Sequence, residues 1–208
     1  HYPFHGRIAM QQATLRGYGL DAGAQEPVLW CEAVVRQTAM FGEVLSLSRR
    51  IEMPLFGNVV RMRDKVVNDG YRPVRHAVLY HFNFGYPLLD SGARLFGDCA
   101  DAARTAFADH PPVPNDDEVE LVDRVGLAPG RDGKCLVGLR NDVIGVSAAI
   151  RFDPVQLPEL MMWRAYQSGI FAVGIEPHTH VGDPARPAAD FLQAGQSRTY
   201  DVDIEVGI

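Results

Sequence analysis

Apolar and polar positions fall into strand-length runs through most of the chain, with room for only short helices between them. Residues 28–36 and 43–52 predict two strands joined across Thr38 to Gly42, and residues 58–67 predict a third, ended by the turn signal Asn68-Asp69-Gly70. In the next run Leu79, His81, Asn83 and Gly85 alternate with Tyr80, Phe82, Phe84 and Tyr86. A strand here puts His81 and Asn83 on one face and four aromatic rings on the other, and the chain turns at Gly85 and Pro87. Four strands without an intervening helix predict an antiparallel sheet. Residues 97–107 predict a short helix, and residues 110–118 a proline-rich acidic loop containing His110. Strand patterning resumes at residues 119–123. Beyond the turn at residues 129–133, the runs 134–140 and 143–152 predict a hairpin closed near Asn141-Asp142. An apolar stretch at 157–164, a mostly buried strand at 169–177 and a last strand at 200–208 complete the pattern.

The composition narrows the function classes. Of 208 residues, 47% are hydrophobic and 22% charged, as in an ordinary soluble globular chain, and one large all-β domain fits the length. Twenty Lys and Arg against 26 Asp and Glu give a net charge of -6. Arg49, Arg50, Arg61, Arg63 and Lys65 are spread along alternating segments, so no basic stripe offers a track for nucleic acid. No run of about 18 apolar residues is present to span a membrane, and the first residues lack a signal-peptide pattern. Cys31, Cys99 and Cys135 are odd in number and widely spaced, which argues against a disulfide framework or zinc knuckle and suits a reducing cytoplasm. The chain opens inside a motif without an initiator Met, so a portion of a longer domain is expected to precede it.

Three groups of residues stand out as candidate chemistry. His5-Gly6-Arg7 joins a donor/acceptor ring and a planar guanidinium to a glycine that allows a sharp turn, although a surface turn beside a cation has the same pattern. His81 and Asn83 share a strand face, where the plain alternative is a hydrogen-bonded sheet histidine. Glu176 closes an apolar run just before Pro177, and a carboxylate there needs an arginine, a histidine or a ligand if it is buried. Glu176, His178 and His180 also have a metal-ligand spacing, which keeps a cupin-type metal enzyme open as a rival, weakened by Pro177 and by the lack of a second ligand cluster.

Taken in order, His5-Gly6-Arg7, Tyr80-His81-Phe82-Asn83-Phe84-Gly85 and Gly174-Ile175-Glu176-Pro177 resemble the aldose 1-epimerase (galactose mutarotase-like) superfamily. The run from Asn83 to Asp90, followed by Gly92-Ala93-Arg94, resembles its bacterial aldose-epimerase-like branch. The resemblance implies an all-β fold, a large antiparallel β-sandwich, as a single sugar-binding domain over residues 1–208 that lacks an N-terminal portion of the full domain. It implies an isomerase that interconverts the α and β anomers of a sugar without metal or cofactor, with His81 as general acid and Glu176 as general base. His5, Arg7 and Asn83 would hold the sugar, and all of these residues would converge in one cleft with His178 and His180 near its rim. Anomer interconversion needs a base for the anomeric hydroxyl and an acid for the ring oxygen, so an imidazole and a carboxylate on opposite sides of the ring suffice. A module on the same fold that binds sugar without turnover stays open as an alternative.

Overall fold

The computed structural model describes residues 6–23, 26–99, 117, 120–179 and 191–208. After a single 3-10 turn at Ile8–Met10, its strands in chain order are β1 (Thr14–Asp21), β2 (Val28–Thr38), β3 (Val44–Pro54), β4 (Val59–Asn68), β5 (Val74–Arg75), β6 (Phe82–Phe84) and β7 (Ala93–Gly97). They continue as β8 (Leu121–Val125), β9 (Cys135–Asn141), β10 (Val146–Phe152), β11 (Glu159–Gln167), β12 (Ile170–His178), β13 (Phe191–Leu192) and β14 (Ser197–Gly207). The architecture is an antiparallel β-sandwich. Among the described residues no helix is long and apolar enough to cross a membrane. The helix expected over residues 97–107 lies outside the described residues from position 100 onward; Gly97 ends β7, and Cys99 bridges to Leu127.

The chain divides into two compact units, residues 1–76 with 183–201 and residues 77–182 with 202–208. In the first, β1, β2, β3 and β4 form an antiparallel meander in the register Tyr18↔Cys31, Cys31↔Ile51 and Ile51↔Met62. The beginning of β14 lies beside β4, and β13 pairs with β5. Two buried polar side chains here, Asn68 and Asp64, have specific partners. The Asn68 carboxamide donates to the carbonyls of Arg72 (2.8 Å) and Leu192 (2.9 Å) and accepts from the Gly70 amide (3.0 Å), which closes the turn after β4. Asp64 receives both arms of its cross-strand partner Arg49 at 2.8 and 2.6 Å.

In the second unit the end of β14 pairs with β10, β10 with β9 and β9 with β7, while β6, β12, β11 and β8 form another antiparallel sheet in that order. Alternate positions bury one face of each. Val137, Leu139, Ile150, Phe152 and Val202 come from the first sheet, and Leu160, Met162, Val173 and Ile175 from the second. Tight turns set the hairpin registers. The β11–β12 hairpin turns on Ser168 and Gly169, the glycine at φ +82°, and this fixes Met161 opposite Glu176 and Trp163 opposite Gly174. The strand expected at residues 79–86 is shorter than its pattern. Phe82–Phe84 form the regular ladder with β12 and Leu79 an isolated bridge to His178, while Tyr86 is 80% exposed, because the chain turns at once with the Leu89 amide donating to the Gly85 carbonyl. Tyr80 and Phe84 are buried as the alternation requires.

Two measurements test this packing. A Cβ at Gly138 would lie 2.2 Å from the Ala148 carbonyl oxygen and 2.5 Å from the Ala149 Cα, both backbone atoms. Gly138→Ala should therefore cost about 3 kcal/mol in urea unfolding, and loss of less than about 1 kcal/mol would contradict the β9–β10 spacing. The fully buried Cys135 thiol is pushed up to about 11 by burial first and then by the charges of Asp98, Asp132 and Asp153. In the folded chain at pH 8, iodoacetamide should alkylate half-buried Cys31 and spare Cys135.

Candidate active site

The face of the β6–β12–β11–β8 sheet opposite Met162 and Ile175 carries the candidate residues. Asn83 stands opposite Gly174, and the Leu79–His178 bridge keeps the same register beyond the end of β6, so His81 falls beside Glu176. Met161 and then Arg124 continue that row on β11 and β8. One row along, Asn83, Gly174, Trp163 and Val122 face the same way.

The His81 Nε2 lies 3.0 Å from the Glu176 Oε1. The Glu176 side chain is 6% exposed and that of His81 30%, so the carboxylate is sheltered while the imidazole keeps an edge toward solvent. Gly174 is the floor beneath them. A Cβ on it would lie 2.9 Å from both the Glu176 Oε1 and the His81 Cε1, so any larger residue intrudes on the contact. The half-buried Trp163 ring meets the His81 ring edge-on, with centroids 5.5 Å apart, and places an apolar surface beside the pair.

A second histidine supports the main chain here. The His178 Nδ1 lies 2.9 Å from the Glu176 carbonyl oxygen, and its Nε2 lies 3.3 Å from the Glu159 Oε2. A carbonyl only accepts, so Nδ1 carries the proton of the first bond. The sequence placed His178 near the rim of a cleft, and instead it is 1% exposed. The cause is that β12 does not break at Pro177. The Pro177 carbonyl accepts the Tyr80 amide at 3.1 Å and the Thr179 amide reaches the Val78 carbonyl at 2.9 Å, so the ladder carries His178 under cover. Among the described residues no group of three or more His, Cys, Asp or Glu is placed to hold a metal ion.

The family model described as Domain of unknown function (DUF4432) matches residues 1–206. The chain belongs to that family. No curated protein matches this DUF4432 chain. Solved structures do. A Klebsiella pneumoniae protein provisionally named an aldose 1-epimerase superimposes with a TM-score of 0.77 at 22% identity over 91% of this chain and 53% of its own. A galactose mutarotase-like protein from Clostridium acetobutylicum gives 0.68 at 13% identity over 95% and 67%, and a galactose mutarotase related enzyme from Lactobacillus acidophilus gives 0.55 at 16% over 92% and 71%. The DUF4432 chain thus has the galactose mutarotase-like β-sandwich fold that its motifs resemble, and it spans about half the length of the Klebsiella protein.

Of the residues expected to hold sugar, Asn83 shares a face with His81, two residue pairs along the ladder, and both are exposed. Arg7 belongs to the first unit, where its guanidinium pairs with Glu43, whose Oε1 also accepts from the Gln37 amide at 3.2 Å. His5 and His180 lie outside the described residues. Trp163, Met161, Glu159 and Arg124 carry no sequence motif. Their signal lies in the hairpin: a turn at Ser168-Gly169 with period-two alternation puts Met161 and Trp163 opposite Glu176 and Gly174.

Gly174→Ala tests the floor directly. A crystal structure of the variant should show the His81–Glu176 contact broken, with a stability loss of only about 1–2 kcal/mol because side-chain ends rather than backbone must yield. An unchanged 3.0 Å contact would contradict the arrangement.

Proposed function

We propose that this chain interconverts the α and β anomers of a sugar, with Glu176 as general base and His81 as general acid. The observation that carries the reading is the contact between a sheltered carboxylate and a half-exposed imidazole on the open face of a sheet, beside an aromatic ring. The fold supports it, since the galactose mutarotase-like proteins named above share this sandwich.

The chemistry follows from the atoms. The sugar replaces the mutual hydrogen bond, so that the anomeric hydroxyl addresses the Glu176 carboxylate and the ring oxygen addresses the His81 Nε2. Glu176 takes the hydroxyl proton as the C1–O bond to the ring oxygen breaks and C1 becomes an aldehyde carbon, while His81 protonates the departing ring oxygen. Rotation about C1–C2 presents the other face of the carbonyl. Ring closure then returns both protons, leaving the opposite anomer and the site in its starting state. Trp163 offers an apolar surface to a C–H face of the ring, and Asn83 offers a carboxamide to a hydroxyl.

A second reading, sugar binding without turnover, draws on the same contact, because the pair satisfies itself as a structural hydrogen bond would. Freshly dissolved α-anomers followed by NMR separate the two. Glu176→Gln and His81→Asn should each slow interconversion about 10²- to 10⁴-fold, and the double variant should be little slower than either, since both groups serve one ring opening. The parent rate should persist with a chelator present. A parent that binds a sugar yet leaves its anomeric exchange at the spontaneous rate would establish the binding module instead.

A further inference from the structure

We infer that the sugar carries an anionic group remote from its anomeric carbon, a phosphate or a carboxylate, and that Arg124 holds it. This rests on the epimerase reading for the position of the anomeric carbon, and on the following observations for the charge. Arg124 stands in the same cross-strand row as the acid/base pair, opposite Met161, which is opposite Glu176. Two strand spacings separate it from Glu176, roughly 10 Å of backbone, and a long side chain covers part of that distance. A hexose with C1 at the pair and a charged substituent on C6 fits along the row, with Met161 beneath the ring and Trp163 at its flank.

The charge pattern singles this arginine out. On the strands of the second unit, Arg94 and Arg140 pair with Asp142 at 2.7 and 3.4 Å, Arg151 pairs with Glu205 and Asp132, and Arg164 pairs with Asp123 on the inner face. Arg124, exposed, has no such carboxylate among the described residues. The acidic side chain diagonal to it on this face, Glu159, is turned to His178. A guanidinium on the site face therefore keeps its charge and its planar fork for an oxyanion, the geometry in which arginine binds carboxylate or phosphate through two parallel bonds.

The test compares neutral hexoses, their 6-phosphates and their uronates in the gluco, galacto and manno series, with anomeric exchange measured by NMR for the parent, Arg124→Leu and Arg124→Lys. The parent should favour a charged sugar over its neutral counterpart at least tenfold in kcat/KM, and the arm that responds tells phosphate from carboxylate. Arg124→Leu should raise KM for the charged sugar about ten- to a hundredfold, collapsing the preference, and Arg124→Lys should restore part of it. A parent indifferent to the charge, or a preference that survives Arg124→Leu, overturns the inference. Should no sugar exchange faster than spontaneously, the epimerase reading fails, and calorimetric titration of the same sugars decides this one. Arg124-dependent binding of the charged sugars alone sustains it, while equal or absent binding overturns it.

Discussion

A carboxylate buried on a sheet must find a partner, and the register of β6 against β12 is what partners Glu176. Left alone under that degree of cover the charge would cost several kcal/mol, so His81 at 3.0 Å is a condition of this face as well as a candidate for chemistry. One register decides everything around it. It sets Asn83 over Gly174, aligns Leu79 with His178, and turns Tyr80 and Phe84 to the covered side. A slip of one residue would exchange the two faces, burying His81 and exposing the aromatic rings. The aromatic positions thus hold the histidine where it is, because their burial is what the slip would forfeit.

Much of this was legible before any coordinates. Strand-length apolar and alternating runs located β2, β3, β4, β9, β10, β12 and β14 to within a few residues. The motifs named the fold and brought His81 and Glu176 forward. Where the pattern misled, a neighbour had overruled it. In β1, Gly17 and Gly19 empty the positions that would show alternation, since the Trp30 ring lies across them; a Cβ on Gly17 would be 3.2 Å from that ring. At the end of β12, Pro177 looked like a terminus, but an antiparallel ladder needs only its carbonyl there.

The residues that the motifs did not name have a common feature: their significance is positional. Nothing local marks Met161, Trp163 or Arg124 as more than members of apolar or alternating runs. They acquire meaning only when the β11–β12 hairpin register and the β6–β12 and β8–β11 pairings set them on the face that holds His81 and Glu176. Pairing between strands close in sequence can be worked out from a turn, as for β11 and β12. The place of β8, and so of Arg124, depends on a ladder between segments joined by a long connection, which no turn residue specifies.

Direct contact between the acid and the base also bears on why two such groups should suit the proposed reaction. Anomer interconversion begins and ends with the same functional groups and the same number of protons, so a catalyst needs no net exchange with solvent during a turnover. In the proposed reaction the carboxylate and the imidazole in contact act as a closed pair, since ring opening draws one proton in at Glu176 as it sends one out at His81. His178 serves that pair through a different bond. By holding the Glu176 carbonyl it restrains the backbone of the proposed base, so that in the proposed reaction the carboxylate would exchange partners between imidazole and sugar without the strand shifting beneath it.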